Sequence, residues 1–453
     1  MPGRYSPDAP NLATGGVARR TLLSARRRDW PPPWVFLLMP LPFGIFSGYV
    51  QTALPWLLRR MGYSVNNISA IVALILSPMA FAFLWSPVAD FGFRRRTWML
   101  LMSTLSGVLL AAAILLLGVD MLLATWLLFA GYAVSIFTTS CSGGLLAATQ
   151  AESAKSRAAA WMQGGMLTSS ALGGALLLYC SKRLSLPALA VGAALLVTAP
   201  AAVALTIPEP APLSDLRNFW KTGATMGREI RATLFSMKSL PGMLLLFAPV
   251  GTGAAQSLFA AMAKDYHVGM RGVLLLNGLL GGLLNMAGAY VAVIVPAHWD
   301  RRIAYAAAGF ACAGVGAYLT FAPLSPATYL TGVALYMLTT GACYGFFLGV
   351  VMVTMGDAGL SASGRYAILV SLGDLPIVYM TVVEGWSFKL FGVRGVPASD
   401  CLGNLLVAIC TAVWLVFCWK SADAPAGIRE QMSEESPAAS LSVPIAIEPA
   451  SFE

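Results

Sequence analysis

The chain has 453 residues, 58% hydrophobic and 11% charged, with a formal net charge of +9. An ordinary soluble domain carries about 25% charged residues, so the composition excludes a soluble enzyme or binding module. The seven cysteines, Cys141, Cys180, Cys312, Cys343, Cys401, Cys410 and Cys418, form no CxxC pair and fall in or beside apolar runs. They read as small core residues, which excludes a disulfide scaffold and a thiolate metal site.

Residues 1–33 are polar and rich in Pro and Arg, and are expected to form a disordered cytoplasmic arm. The apolar stretch behind them is too long for a signal-peptide core. Apolar runs then recur at 34–57, 67–89, 97–118, 121–146, 158–180, 187–207, 241–262, 272–295, 303–322, 327–353, 365–388 and 401–419. Each reaches or approaches the ~20 residues that cross a bilayer core. None alternates with period two, so the fold class predicted is an all-α membrane protein of about 12 transmembrane helices.

A polar linker at 208–240 divides an N-terminal six-helix half, 34–207, from a C-terminal half, 241–420. Within it Leu216, Phe219, Met226, Ile230, Leu234 and Met237 recur at helical spacing between basic residues, as in a helix lying on headgroups. Residues 421–453, with Glu430, Glu434, Glu435, Glu448 and Glu453, read as a solvated cytoplasmic tail. With both termini placed in the cytoplasm, 21 Lys and Arg fall on the inner side and 8 on the outer. This is the positive-inside asymmetry of a cell inner membrane protein. It also accounts for the net charge through anionic lipid, so no nucleic-acid partner is expected.

The halves echo one another. Gly48-x-x-Gln51-Thr52 recurs 205 residues later as Gly253-x-x-Gln256-Ser257, and Thr149-x-x-Glu152 as Thr354-x-x-Asp357. Asp90 ahead of Arg94, Arg95 and Arg96 is matched by Asp300-Arg301-Arg302. Three echoes at equivalent places argue for a parallel duplication.

The segment Ser86-Pro87-Val88-Ala89-Asp90-Phe91-Gly92-Phe93-Arg94-Arg95-Arg96 resembles the signature loop of the major facilitator superfamily, with Ser86 where that family has Gly. Phe83-Leu84-Trp85-Ser86-Pro87, Arg94 to Trp98, Arg365 to Leu369 and Gly385-Trp386 resemble the branch of muropeptide permeases, acetyl-CoA transporters and siderophore importers. The chain departs from that branch late in helix 4 and in helix 5. There it has Cys141-Ser142-Gly143-Gly144 and Met166-Leu167-Thr168-Ser169 in place of acidic residues and an Arg.

Two charged side chains are predicted inside spans, Asp374 and Glu384, both in helix 11. Such groups are costly in hydrocarbon and default to a functional reading. Asp374 lies nine residues past Arg365, about 13 Å deep at ~1.5 Å per residue, which makes it the candidate proton-coupling group. Glu384 is expected at the outer interface near Lys389, and about 80° of helix rotation separates it from Asp374, so the two are not a pair. Gly373 and Pro376 predict a bend or break beside Asp374.

Gln51, Gln163, Gln256, Asn277 and Asn285 are the candidate substrate-cavity residues, the alternative for each being a helix-packing amide. The candidate cytoplasmic gate is Asp90, Arg94, Arg95, Arg96, Arg157, Asp300, Arg301, Arg302, Asp357 and Arg365, first of all topology markers. The resemblance implies that such loops latch the helix ends. Gly164-Gly165, Gly173-Gly174 and Gly281-Gly282 are expected to be close helix contacts, and His267 and His298 fall in loops. The expectation is a monomeric, non-enzymatic secondary transporter without cofactor or metal, taking up a small polar solute such as a peptidoglycan fragment or siderophore with protons by alternating access. A proton-driven exporter, or a non-transporting scaffold or assembly factor on the same fold, is the alternative. A solvent-connected midplane cavity discriminates transport from scaffold.

Overall fold

In lipid every backbone amide needs a partner within the protein, and the residues described in this computed structural model are accordingly helical, without a strand. The structure describes residues 31–90, 93–150, 152–208, 228, 240–295, 300–355 and 362–422. They form two compact units, Met1–Ala408 and Ile409–Glu453, the described part of the second being helix up to Ala422.

Twelve helices follow in order among the described residues. They are α1 (Pro33–Arg60), α2 (Val65–Leu84), α3 (Arg95–Leu116), α4 (Met121–Thr149), α5 (Glu152–Cys180) and α6 (Leu186–Thr206). Then come α7 in two pieces (Leu240–Phe247 and Gln256–Met262), α8 (Met270–Leu274, Leu275–Leu280 and Gly281–Ile294), α9 (Arg301–Phe321), α10 (Pro326–Met355), α11 (Ala362–Phe391) and α12 (Gly395–Ala422). Short polar residues cap the starts: Ser64 accepts from the Asn67 amide at 3.2 Å, Asp120 from Leu123 at 3.0 Å and Ser325 from Thr328 at 3.2 Å. Outward faces are apolar, with Val108, Val191, Leu195, Phe310 and Leu402 between 56% and 66% exposed. A soluble fold would bury such a surface; a bilayer covers it.

Glycine sets how closely the helices approach. A Cβ on Gly48 or Gly174 would strike the backbone of the facing helix, so α1 and α5 pack backbone to backbone, as do α8 and α10 at Gly288 and Gly341. The halves meet along two seams. Gly385 of α11 rests on Ser69 of α2, and Gly278 and Gly282 of α8 rest on Ala175 and Ala171 of α5. The predicted contacts at Gly165, Gly173-Gly174 and Gly281-Gly282 are all close packings, whereas a Cβ on Gly164 would meet only Met286 Sδ, at 4.0 Å.

At the Arg59 end one apolar core runs across both halves, joining Leu54, Leu58, Val65 and Ile68 to Leu258, Phe259, Met262 and Tyr329. Toward the Arg95 end it divides into two. Phe36, Met99, Phe137 and Leu145 belong to the N-terminal half, and Leu246, Tyr305, Phe346 and Val350 to the C-terminal half.

Three expectations are corrected. Helix α11 runs unbroken through Pro376; the interruptions fall in α7, between Phe247 and Gln256, and in α8, where Gly278 has φ −104° and ψ −118°. One proline removes one donor, and α11 is held on both sides by α2 and α10. Helix α12 begins at Gly395, ahead of the apolar run at 401, which brings Asp400 into the helical core. Glu384, expected at the outer interface beside Lys389, is packed over by protein, 0% exposed, within a helix that continues to Phe391.

Candidate functional site

The Gly-x-x-Gln echo marks the irregular turns of both first helices. In α1 the stretch Tyr49–Ala53 is a π-helix, a form frequent at functional sites. In α7 the chain unwinds, with Gly251 at φ 50° and Gly253 at φ 69°, backbone that other L-residues rarely adopt.

Unwinding frees backbone polar groups, and side chains from four helices take them up. Asn404 Oδ1 of α12 accepts from the Gly251 amide at 2.7 Å, and Tyr305 of α9 donates to the Val250 carbonyl at 3.0 Å. Tyr344 of α10 donates to Thr252 and Tyr379 of α11 to Phe247, each at 2.8 Å. This is how broken helix is tolerated at membrane depth.

Beside this segment polar and aromatic groups of both halves converge. Gln51 donates to Ser47 Oγ at 2.6 Å, and Ser47 pairs with the hydroxyl of Tyr132 on α4. The Tyr132 ring packs on Phe43 and Phe46 of α1, at 5.7 and 6.1 Å between centroids. From the other half Tyr344 and Asp374 face it, the Asp374 carboxylate acting electrostatically on both tyrosines. Asp374 is half-buried and makes no hydrogen bond or ion pair among the described residues. It is therefore not sealed by packing or by a partner twelve residues into a 30-residue helix.

Of the predicted cavity residues, Gln51, Gln163 and Gln256 are likewise half-buried. Asn277 and Asn285 are 2% and 3% exposed; Asn277 accepts from Tyr329 at 3.4 Å, and the Asn285 backbone packs on Gly341. These two sit between helices. Tyr132, Tyr344 and Phe43 escaped the sequence reading, their one available signal being aromatic residues near the middle of long apolar runs.

Among the predicted gate residues, Arg95 donates to the Gly144 carbonyl of α4 at 3.0 Å and Arg301 to Ala292 of α8 at 3.4 Å, both ties within one half. Asp300 caps α9, accepting from the Arg302 amide at 2.8 Å. The Arg302 Nε is buried, while Arg94 is exposed and Arg96 half-buried. The side chains of Asp90, Arg157 and Arg365, together with Asp357 and His298, lie outside the described residues. A tie between halves does appear at the opposite end, where Arg59 of α1 pairs with Asp265 beyond α7 at 3.5 Å and lies over the Phe388 ring of α11 at 6.0 Å.

The family profile described as Major Facilitator Superfamily matches residues 36–377. No curated protein matches the sequence. Among solved structures, a D-xylose-proton symporter aligns with a TM-score of 0.63 at 14% identity, covering 83% of this chain and 95% of that one. An inward-open conformation of the xylose transporter XylE from E. coli gives 0.61 at 14% identity, over 83% of this chain and 94% of its own. The nucleoside transporter NupG gives 0.60 at 12% identity, over 84% and 98%. At such identities the likeness is one of fold.

Proposed function

The chain belongs to the Major Facilitator Superfamily, and on that premise we propose that it is a proton-coupled transporter of a small polar solute, with Asp374 carrying the proton. The observation that carries the reading is the Asp374 carboxyl itself, at mid-depth, half-buried and unpaired, facing Tyr132 of one half and Tyr344 of the other. A scaffold has no use for an unpaired, unsealed acid between two halves. A carrier does, because the group meets water and solute when the site opens and loses them when it closes.

The site also limits the solute. Apart from Arg365 at the inner end of the eleventh, no Lys or Arg falls within the apolar runs that build it, so an anionic cargo would find no counter-charge at mid-depth. A neutral or cationic solute with hydroxyl groups and a ring fits the Phe43 and Tyr132 faces and the Gln51 amide. Neutral sugars and charge-neutral hydroxamate siderophores are of this kind, whereas peptidoglycan fragments carry carboxylates and fit the site less well. The Arg95 end is taken as cytoplasmic from the basic residues gathered there. The core is continuous at the Arg59 end and divided at the Arg95 end, which supports access to Asp374 from inside in this state.

The test is solute counterflow and pH-gradient-driven accumulation with purified protein in liposomes, screening such solutes. Asp374→Asn, which keeps size and hydrogen bonding but cannot titrate, abolishes accumulation and leaves exchange. Full accumulation by Asp374→Asn removes this residue as the proton carrier.

A further inference from the structure

The C-terminal half holds a second acidic centre that the midplane site does not use. Glu384 of α11 and Asp400 of α12 are 0% and 1% exposed, and none of their four carboxyl oxygens has a hydrogen-bond partner. The two groups are electrostatic neighbours. From α10 the hydroxyl of Tyr336, 1% exposed and itself unpartnered, faces both carboxyls and is turned toward Asp400 without closing a hydrogen bond. One turn along the same helix, Thr340 Oγ1 is also buried and unpartnered. Other groups around the cluster are the Ala255 amide from α7, the Cys312 thiol from α9, the Cys343 thiol and Tyr344 hydroxyl from α10, and the Cys401 thiol beside Asp400 on α12. No basic side chain among the described residues faces it, their one ion pair being Arg59 with Asp265.

Two buried carboxyl groups that act electrostatically on one another are strongly disfavoured from ionising together. Their unpartnered oxygens, with a buried phenol turned toward one of them, suit a carboxyl that keeps a proton. We propose that Glu384 and Asp400 form a second proton-binding site, separate from Asp374, holding one exchangeable proton between them. Asp400 also connects to the unwound turn of α7. Its carbonyl accepts from Asn404 Nδ2 at 2.9 Å, and Asn404 Oδ1 holds the Gly251 amide at 2.7 Å. The contact is to the Asp400 backbone carbonyl, so it places the acidic pair one helical turn from the residue that holds the α7 turn. When the Arg59 end opens, the proton passes from a carboxyl oxygen to water, leaving a carboxylate that water then solvates.

The pair is testable without any solute, so it stands or falls apart from the transport reading. Infrared difference spectra of the full-length protein in nanodiscs, titrated from neutral to alkaline pH, read the carboxylic-acid C=O stretch. A protonated band present at neutral pH and lost on alkaline titration is expected. Glu384→Gln and Asp400→Asn each remove or shift this band, and Asp374→Asn leaves it in place. If either amide variant does not fold, the other and Tyr336→Phe decide, Tyr336→Phe shifting the band by withdrawing the facing hydroxyl. A band that none of these substitutions moves, or one that persists at every pH at which the protein stays folded, overturns the proposal. So does sodium. If replacing choline with sodium at fixed neutral pH saturably removes the band, and Glu384→Gln abolishes that response, the occupant is a sodium ion instead of a proton.

Discussion

Asn404→Leu removes the acceptor of the Gly251 amide while nearly keeping the side-chain volume, in a position only 1% exposed. Gly251 sits at φ 50° in unwound chain, so its amide cannot return to a helical partner without rewinding the turn. A buried donor left unpaired costs about 1–3 kcal/mol. Losing the Asn404 Nδ2 bond to the Asp400 carbonyl adds little, since that carbonyl lies within a continuous helix and is not orphaned. The apolar surface gained by Leu offsets part of the loss, so the net effect stays within about 1–3 kcal/mol of local stability. At ~1.4 kcal/mol per tenfold, amide hydrogen exchange in residues 248–255 accelerates by about 5- to 150-fold, while the α1 and α5 amides are unchanged. Asn404→Asp, which keeps an oxygen acceptor, accelerates it far less. Unchanged exchange at 248–255 in Asn404→Leu, or acceleration spread evenly over all helices, refutes the account of how the turn is held.

Other perturbations separate the parts of the site. Tyr305→Phe removes a buried donor to the Val250 carbonyl and lowers stability in detergent by roughly 1–3 kcal/mol, whereas Tyr379→Phe, at a more exposed bond to Phe247, costs less than half as much; equal losses count against burial as the deciding factor. Asp265→Asn breaks the Arg59 tie, and because both partners are about a quarter exposed, the shift toward opening of the Arg59 end is modest, under ~1 kcal/mol. Spin-label distances between the ends of α1 and α7 should lengthen slightly, and shortening contradicts the tie. Gly385→Val drives two methyls against Ser69 across the seam of α2 and α11, costing about 1–3 kcal/mol and slowing solute exchange; wild-type stability and exchange would show that the seam is loose.

Much of this was legible because hydrocarbon enforces simple rules. Apolar run length gave the helices, and the echo of Gly48 and Gln51 in Gly253 and Gln256, read only as a sign of duplication, falls on the irregular turns of α1 and α7. The break in α7 was not read, although Pro249, Gly251 and Gly253 stand close together. An apolar run looks the same whether its backbone is helical or held by side chains from elsewhere, and the holders, Tyr305, Tyr344, Tyr379 and Asn404, come from four other helices. Asp400 was lost because the turn residues Gly392, Gly395 and Pro397 resemble a loop that continues to the next apolar residue. Gly395 and Pro397 instead lie in the first turn of α12, where a proline's missing donor is harmless. Glu384 was misplaced by depth counting, which measures distance along a helix and says nothing of what packs over it.

The two halves echo one another in sequence but hold their first helices by different means, and the difference decides which one can move. Helix α1 lies against α5 at Gly48 and Gly174 with no side chain between the backbones. Packing of that kind has one low-energy arrangement and resists sliding. Helix α7 is tied at its break by hydroxyl and amide groups on flexible side chains, each able to pair with a different backbone group after a small rotation. Opening the Arg59 end must separate Leu54 and Leu58 of α1 from Leu258 and Met262, which lie beyond the break in α7. The second piece of α7 can swing on its unwound turn while its first piece stays packed against α10 and α11. Bistability is thus concentrated in one short segment, and Asn404, which holds its Gly251 amide, stands one helical turn from Asp400.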